Sequence, residues 1–161
     1  MLPRVETILE RLQELSTYFA HADCRNDAVS DWSVGQQAEH VIRATSVFTV
    51  IILRNRPADG SQPEVALKHR LLERGSISRG IAKAPKPTLP GAQPSLKDLD
   101  GLLLKCRKRV ERLSDVDQHS VAIHPYLGEM KRDEILQFLV IHLDHHLSII
   151  KDILETASLD A

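Results

Sequence analysis

The chain has 161 residues, 42% of them hydrophobic and 27% charged, which suits one domain over residues 1–161 with one sizeable core. Lys plus Arg total 21 against 22 Asp plus Glu, a formal net charge of −1. That balance excludes a broad basic footprint for nucleic acid or an anionic membrane. Aromatics make up 4%, too few for stacking platforms along a single strand.

No apolar run reaches the ~20 residues that span a bilayer. The start, Met1 to Glu6, lacks a basic segment followed by an apolar one, so no export signal is expected. Cys24 and Cys106 make no disulfide framework, and the expected location is the cytoplasm.

The first predicted helix covers residues 2–20, with Leu2, Val5, Leu9, Leu12, Leu15 and Phe19 spaced by three or four on one stripe. Residues 23–31 are polar and read as a loop. A second helix starts after Ser33, where Ser33 and Gln36 form a capping-box pattern, and runs to about Arg54. Its stretch from Val47 to Leu53 is apolar nearly all round. That is more than a small core needs, so part of it is expected to pack against a second copy in a two-fold homodimer.

Residues 55–94 hold six of the eight prolines. Within them residues 63–74 read as a short helix, with Pro63 in its first turn and Gly75 just past its end. The rest reads as an extended crossover. Ser95 caps a further helix whose stripe is Leu96, Leu99, Leu103, Val110 and Leu113. A turn follows at residues 124–128, and a last helix covers about Lys131 to Thr156. The pattern predicts an all-α fold, a four-helix bundle with a long Pro-rich crossover connection and no strand.

Three of the eight histidines, His142, His145 and His146, lie within five residues. The apolar stripe of the last helix is Ile135, Phe138, Leu139, His142, His146, Ile149, Ile150 and Ile153, so His142 and His146 face the core one turn apart. Two imidazoles so placed can close on zinc or a similar divalent ion. They can equally be core histidines satisfied by hydrogen bonds, although burying two imidazoles without a shared ligand costs desolvation twice. Leu143 stands where a zinc protease of the His-Glu-x-x-His type has its glutamate, which excludes that chemistry. His40, on the face of the second helix shared with Ala44, Val47 and Ile51, is the candidate third ligand.

A three-histidine site with open positions can lower the pKa of a bound water or hold a thiol as thiolate. The candidate proton carriers near it are His145, His124 and Glu39, the last with a solvated carboxylate as its plainer reading. His21, His69 and His119 read as solvated, and the two cysteines as plain thiols.

Three blocks carry a resemblance: Asp31-Trp32-Ser33-Val34-Gly35-Gln36-Gln37-Ala38-Glu39-His40, then His124-Pro125-Tyr126-Leu127-Gly128-Glu129-Met130, then Ile141-His142-Leu143-Asp144-His145-His146. Together with Arg79-Gly80-Ile81-Ala82 they resemble the DinB-like (YfiT-like) metalloenzyme superfamily over nearly the whole chain. The resemblance implies a four-helix bundle with a crossover and a divalent metal, zinc or nickel, held by residues matching His40, His142 and His146. It also implies homodimers, and an activity such as the transfer or isomerisation reactions that use a low-molecular-weight thiol. Lys131 departs from it, standing where Ser or Thr often caps the last helix. The expected function is a metal-dependent thiol S-transferase or hydrolase acting on a small molecule. The alternatives are a metal- or ligand-binding bundle without turnover and a structural helical dimer.

Overall fold

The computed structural model describes residues 1–159 of the chain, so the last two residues of the expected 1–161 domain lie outside it. The first helix, α1, spans Pro3–Ser16, with proline in its first turn and Val5, Ile8, Leu12 and Leu15 fully buried. It ends earlier than its apolar spacing suggests. The hydroxyls of Ser16 and Thr17 bond back to the carbonyls of Gln13 and Glu14 at 2.6 and 2.7 Å, and such local bonds compete with the helical ladder. Phe19 packs instead from a separate 3₁₀ turn, Phe19–His21.

Helix α2 spans Val34–Ile52 and carries both halves of the expected capping box at Ser33 and Gln36. It stops three residues before Asn55, whose φ of 54° lies in the left-handed region that asparagine tolerates. The Asn55 side chain then accepts from the Asp117 amide and the Ser120 hydroxyl, tying the end of α2 to the segment ahead of the hairpin.

Helix α3 spans Ala66–Arg74, three residues later than expected, because Val65 is extended and leaves Pro63 outside the first turn. Gly75 ends it in the left-handed conformation with φ 66°. The strap that follows contains a 3₁₀ turn, Lys86–Thr88, that packs on α2. Helix α4, Leu96–Glu111, is capped by Ser95 and Asp98 and buries Leu99, Leu103, Cys106 and Val110.

The expectation of no strand is corrected. Strands β1, Val121–His124, and β2, Gly128–Lys131, form an antiparallel hairpin with Val121 opposite Lys131 and His124 opposite Gly128. The turn at 124–128 is where the sequence placed it. The flanking strands are four residues each, too short for an alternation to stand out from a loop. Gly128 has φ +71°, and a Cβ there would meet Val65 Cγ2 at 2.8 Å, so only glycine closes this hairpin against the segment before α3.

Helix α5 spans Arg132–Leu159. The Lys131 amide donates to Glu134 at 2.8 Å, so its start is capped from within even without Ser or Thr at 131. The molecule is mostly helical: α2 packs on α4 and α5, and α1 packs on α5 and α4. Leu12, Ile42, Leu99 and Leu139 are fully buried between them, each worth roughly 1.5–3 kcal/mol of transfer free energy. No helix among the described residues is long and apolar enough to cross a membrane.

Candidate metal centre

The cap at Ser33 fixes where α2 begins, and with it the face that His40 presents two turns later. His40 is 5% exposed. The ring of Trp32, just before the cap, lies 5.0 Å from the His40 ring. On α5, His142 and His146 point the same way, and their rings lie 5.3 and 4.7 Å from that of His40. One ring nitrogen from each of the three histidines lies within 4.8 Å of the other two. The α2 face and the α5 stripe thus bring together the three residues that the sequence singled out.

The remaining ring nitrogens show what the cluster is arranged to do. His40 Nδ1 donates to the Thr88 carbonyl at 2.9 Å, which leaves Nε2 as its lone-pair nitrogen. His146 Nδ1 donates to Gln37 Oε1 at 2.6 Å, and the Gln37 amide nitrogen donates to Ser30 Oγ at 2.8 Å. That leaves Nε2 of His146 as its lone-pair nitrogen, and it faces His142 Nε2 at 3.1 Å. Two nitrogens ~2.0–2.1 Å from one ion, at an angle near ~100°, would be separated by that distance. Holding the outer nitrogen of a ligand histidine with a carbonyl or amide oxygen is the usual way to fix its tautomer. The donor set therefore fits a divalent ion that accepts nitrogen.

Electrostatics agree. Burial lowers the pKa of His40, opposed by the Thr88 carbonyl. Burial, then the mutual proximity of the histidines, holds His142 and His146 well below the ordinary value. All three rings are neutral near pH 7, the state in which imidazole ligates. His142 also stacks on Phe138 at 5.4 Å with 13° between the planes, which fixes its orientation. Among the described residues its buried Nδ1 has no hydrogen-bond partner.

The cluster forms the floor of a cavity of about 450 Å³ between α2, α3, α5, the hairpin and the strap. His145 and His124 both line it. The His145 ring lies 4.9 Å from that of His146, and its pKa is lowered by burial and then by Arg79, against a hydrogen bond to the Ile77 backbone. His124 both lines the cavity and holds the hairpin turn. Its Nδ1 accepts from the amides of Tyr126 and Leu127 at 3.0 and 3.2 Å, closing the hairpin turn, and its ring is sandwiched on Phe48 at 4.8 Å with 5° between planes. Because Nδ1 is an acceptor, the neutral ring carries its proton on Nε2. Burial lowers its pKa to about 4.

Glu39 is the residue that structure relocates. It is not a solvated carboxylate but 5% exposed, and it faces a different cavity, where Arg43 donates to it at 2.6 Å and the Gly91 amide at 2.8 Å. It is not a proton carrier for the histidine cluster. His21, His69 and His119 are exposed as expected. Cys106 is buried, which raises its pKa. Gln37 and Thr88 were given no role from the sequence. Gln37 had a legible signal: it is three residues before His40 and shares that face of α2. The Thr88 carbonyl had none, being a backbone atom delivered by tertiary folding.

The geometry has counterparts in sequence comparison. The family model for the DinB superfamily matches residues 3–150, a stretch that contains all three clustered histidines. No curated protein and no solved structure matches the chain at a significant level. With the match covering nearly its whole length, the chain belongs to the DinB superfamily.

Proposed function

We propose that His40, His142 and His146 hold one divalent ion, zinc or nickel, with open positions facing the cavity. In this reading the protein is a metal-dependent enzyme acting on a small molecule, a low-molecular-weight-thiol S-transferase or a hydrolase. The observation that carries it is the inner nitrogens of His142 and His146 at 3.1 Å, with the outer nitrogen of His146 committed to Gln37. When bound, such an ion supplies a Lewis-acid centre that lowers the pKa of a coordinated water or thiol.

The chain's own side chains divide the remaining work. His124 offers an Nε2 proton, so it donates a hydrogen bond to a substrate oxygen rather than accepting a proton. His145, half-buried beside His146, is the candidate proton acceptor. Phe48, Phe138 and Trp32 exclude water from the floor of the cavity. The architecture proposed with this reading is a single-domain four-helix bundle of α1, α2, α4 and α5, the Pro-rich residues 55–94 being its crossover. A cytoplasmic homodimer is part of the same proposal.

A second reading, a metal- or ligand-binding protein without turnover, is favoured by one observation: no Asp or Glu is among the described residues lining the cavity. Calorimetric titration of tag-free protein with zinc and nickel tests the ion, and one tight site per chain is expected. Turnover of an electrophile with added thiol, or of an ester, lost on adding chelator, supports the enzyme. Tight metal binding with no turnover across such a screen supports the second reading. Light scattering at micromolar concentration reads the dimer.

A further inference from the structure

Among the described residues, three cations and no carboxylate line the histidine cavity: Arg70, Arg74 and Lys83 are exposed at its mouth. No ion pair among the described residues engages any of the three. Arg74 donates to the Ser76 carbonyl and to the Ser76 and Ser78 hydroxyls, neutral oxygens that hold its guanidinium in place and leave its charge uncompensated. Arg70 and Arg74 are one turn apart on α3. Lys83 is on the strap, where its carbonyl is fixed by the Tyr126 hydroxyl at 3.0 Å. Elsewhere on the strap the opposite choice is made: Arg79, which does not line the cavity, is neutralised by Asp152 at 2.7 Å.

Away from this exposed rim the lining is apolar, with Phe48 and Phe138 buried and Leu71 and Ile77 half-buried. A partly closed cavity lined by one sign of charge concentrates ligands of the other sign. The apolar wall beneath stabilises a body that sheds water. An inorganic anion would leave that wall wet, and a neutral apolar molecule would leave the three charges unanswered.

We infer that the cavity takes a small organic acid with an apolar body, its anionic group held at the mouth by Arg70, Arg74 and Lys83 and its other end turned toward the histidines. This rests on the histidine cavity being the functional site, and it names the chemical class of what enters. It does not depend on the ion, because the anionic group is read at the rim.

The chain carries one tryptophan, and Trp32 lines this cavity, so its fluorescence reports on occupancy directly. The probes are octanoate, 1-octanol and octylamine, titrated into the full chain with zinc present and again after chelator treatment. Octanoate is expected to bind about tenfold tighter than octanol in both states, the gain of one charge-assisted contact, and octylamine weakest of the three. In the double variant Arg70→Gln with Lys83→Gln, two exposed changes that leave the fold intact, the preference for octanoate disappears while octanol binds as before.

Equal binding of octanoate and octanol, or no binding by any probe, overturns the inference. So does a preference that survives in the double variant, since the carboxylate then goes elsewhere. A preference seen only with zinc places the carboxylate on the ion and overturns it too. A preference that holds in protein taking up no zinc at all leaves this inference standing and removes the metal reading instead.

Discussion

Glu39 and His40 are neighbours on one helix, yet they face two cavities of nearly equal volume, about 490 and 450 Å³. On the Glu39 side both carboxylate oxygens are answered by the protein, one by Arg43 and one by the Gly91 amide. On the His40 side the outer nitrogens of His40 and His146 are answered by Thr88 and Gln37, while the inner ones face only the other histidines of the cluster. Size does not separate a structural cleft from a functional one here. The difference lies in which lone pairs the fold leaves over, and in the buried donors and acceptors spent on aiming them.

The sharpest way to break the comparison is to remove residues on each side. His142→Ala or His146→Ala is expected to weaken zinc binding by more than about a hundredfold, beyond the ~10–100-fold typical of losing a supporting partner. Glu39→Ala is expected to leave zinc affinity unchanged and to lower stability by about 1–3 kcal/mol, through the acceptor lost to Gly91 and Arg43. Calorimetry and urea unfolding on the same samples read both quantities. Equal loss of zinc affinity in Glu39→Ala would erase the distinction between the two cavities.

Acid should act on the histidine side. The folded-state pKa of His124 is lowered to about 4, against ~6.5 in the unfolded chain. Between those values the unfolded chain binds the extra proton, so the stability is fully present above pH ~6.5 and is lost as pH falls toward ~4. For His124 alone the loss is about 3 kcal/mol, and the lowered values of His40, His142 and His146 act in the same direction. Urea midpoints of metal-free protein between pH 7 and pH 4 measure it, and a flat profile would contradict the neutral, buried rings.

A finer change sharpens the role of the supporting groups. Gln37→Leu removes the oxygen that holds His146 Nδ1 and should cost ~10–100-fold in zinc affinity with all three ligands in place. Smallest of all, His69→Ala and His119→Ala should change zinc affinity by no more than measurement error, since both side chains are exposed.

Much of this was legible in the sequence, for identifiable reasons. Capping boxes at Ser33 and Ser95 are local, so the starts of α2 and α4 were readable from four residues each. The stripe on α5 has a helical period, which put His142 and His146 on the core face before any packing was known. The hairpin was missed because its strands owe their existence to tertiary contacts: Gly128 seated against Val65, and Asn55 bonded to Ser120. Glu39 was misjudged because a carboxylate beside a core histidine reads as solvent-facing, until Gly91, far along the chain, arrives with an amide to meet it. The cations at the cavity mouth come from α3 and the strap, and only the fold brings them near the histidines.

The central claim is that one ion is shared by three side chains from two helices. Anomalous scattering from a crystal soaked in zinc reads that claim without reference to any activity. A single strong peak ~2.0–2.1 Å from Nε2 of each of His40, His142 and His146 is the result the account predicts. Zinc found only at exposed positions such as the His69–Glu64 pair, with nothing between the three buried rings, would contradict it.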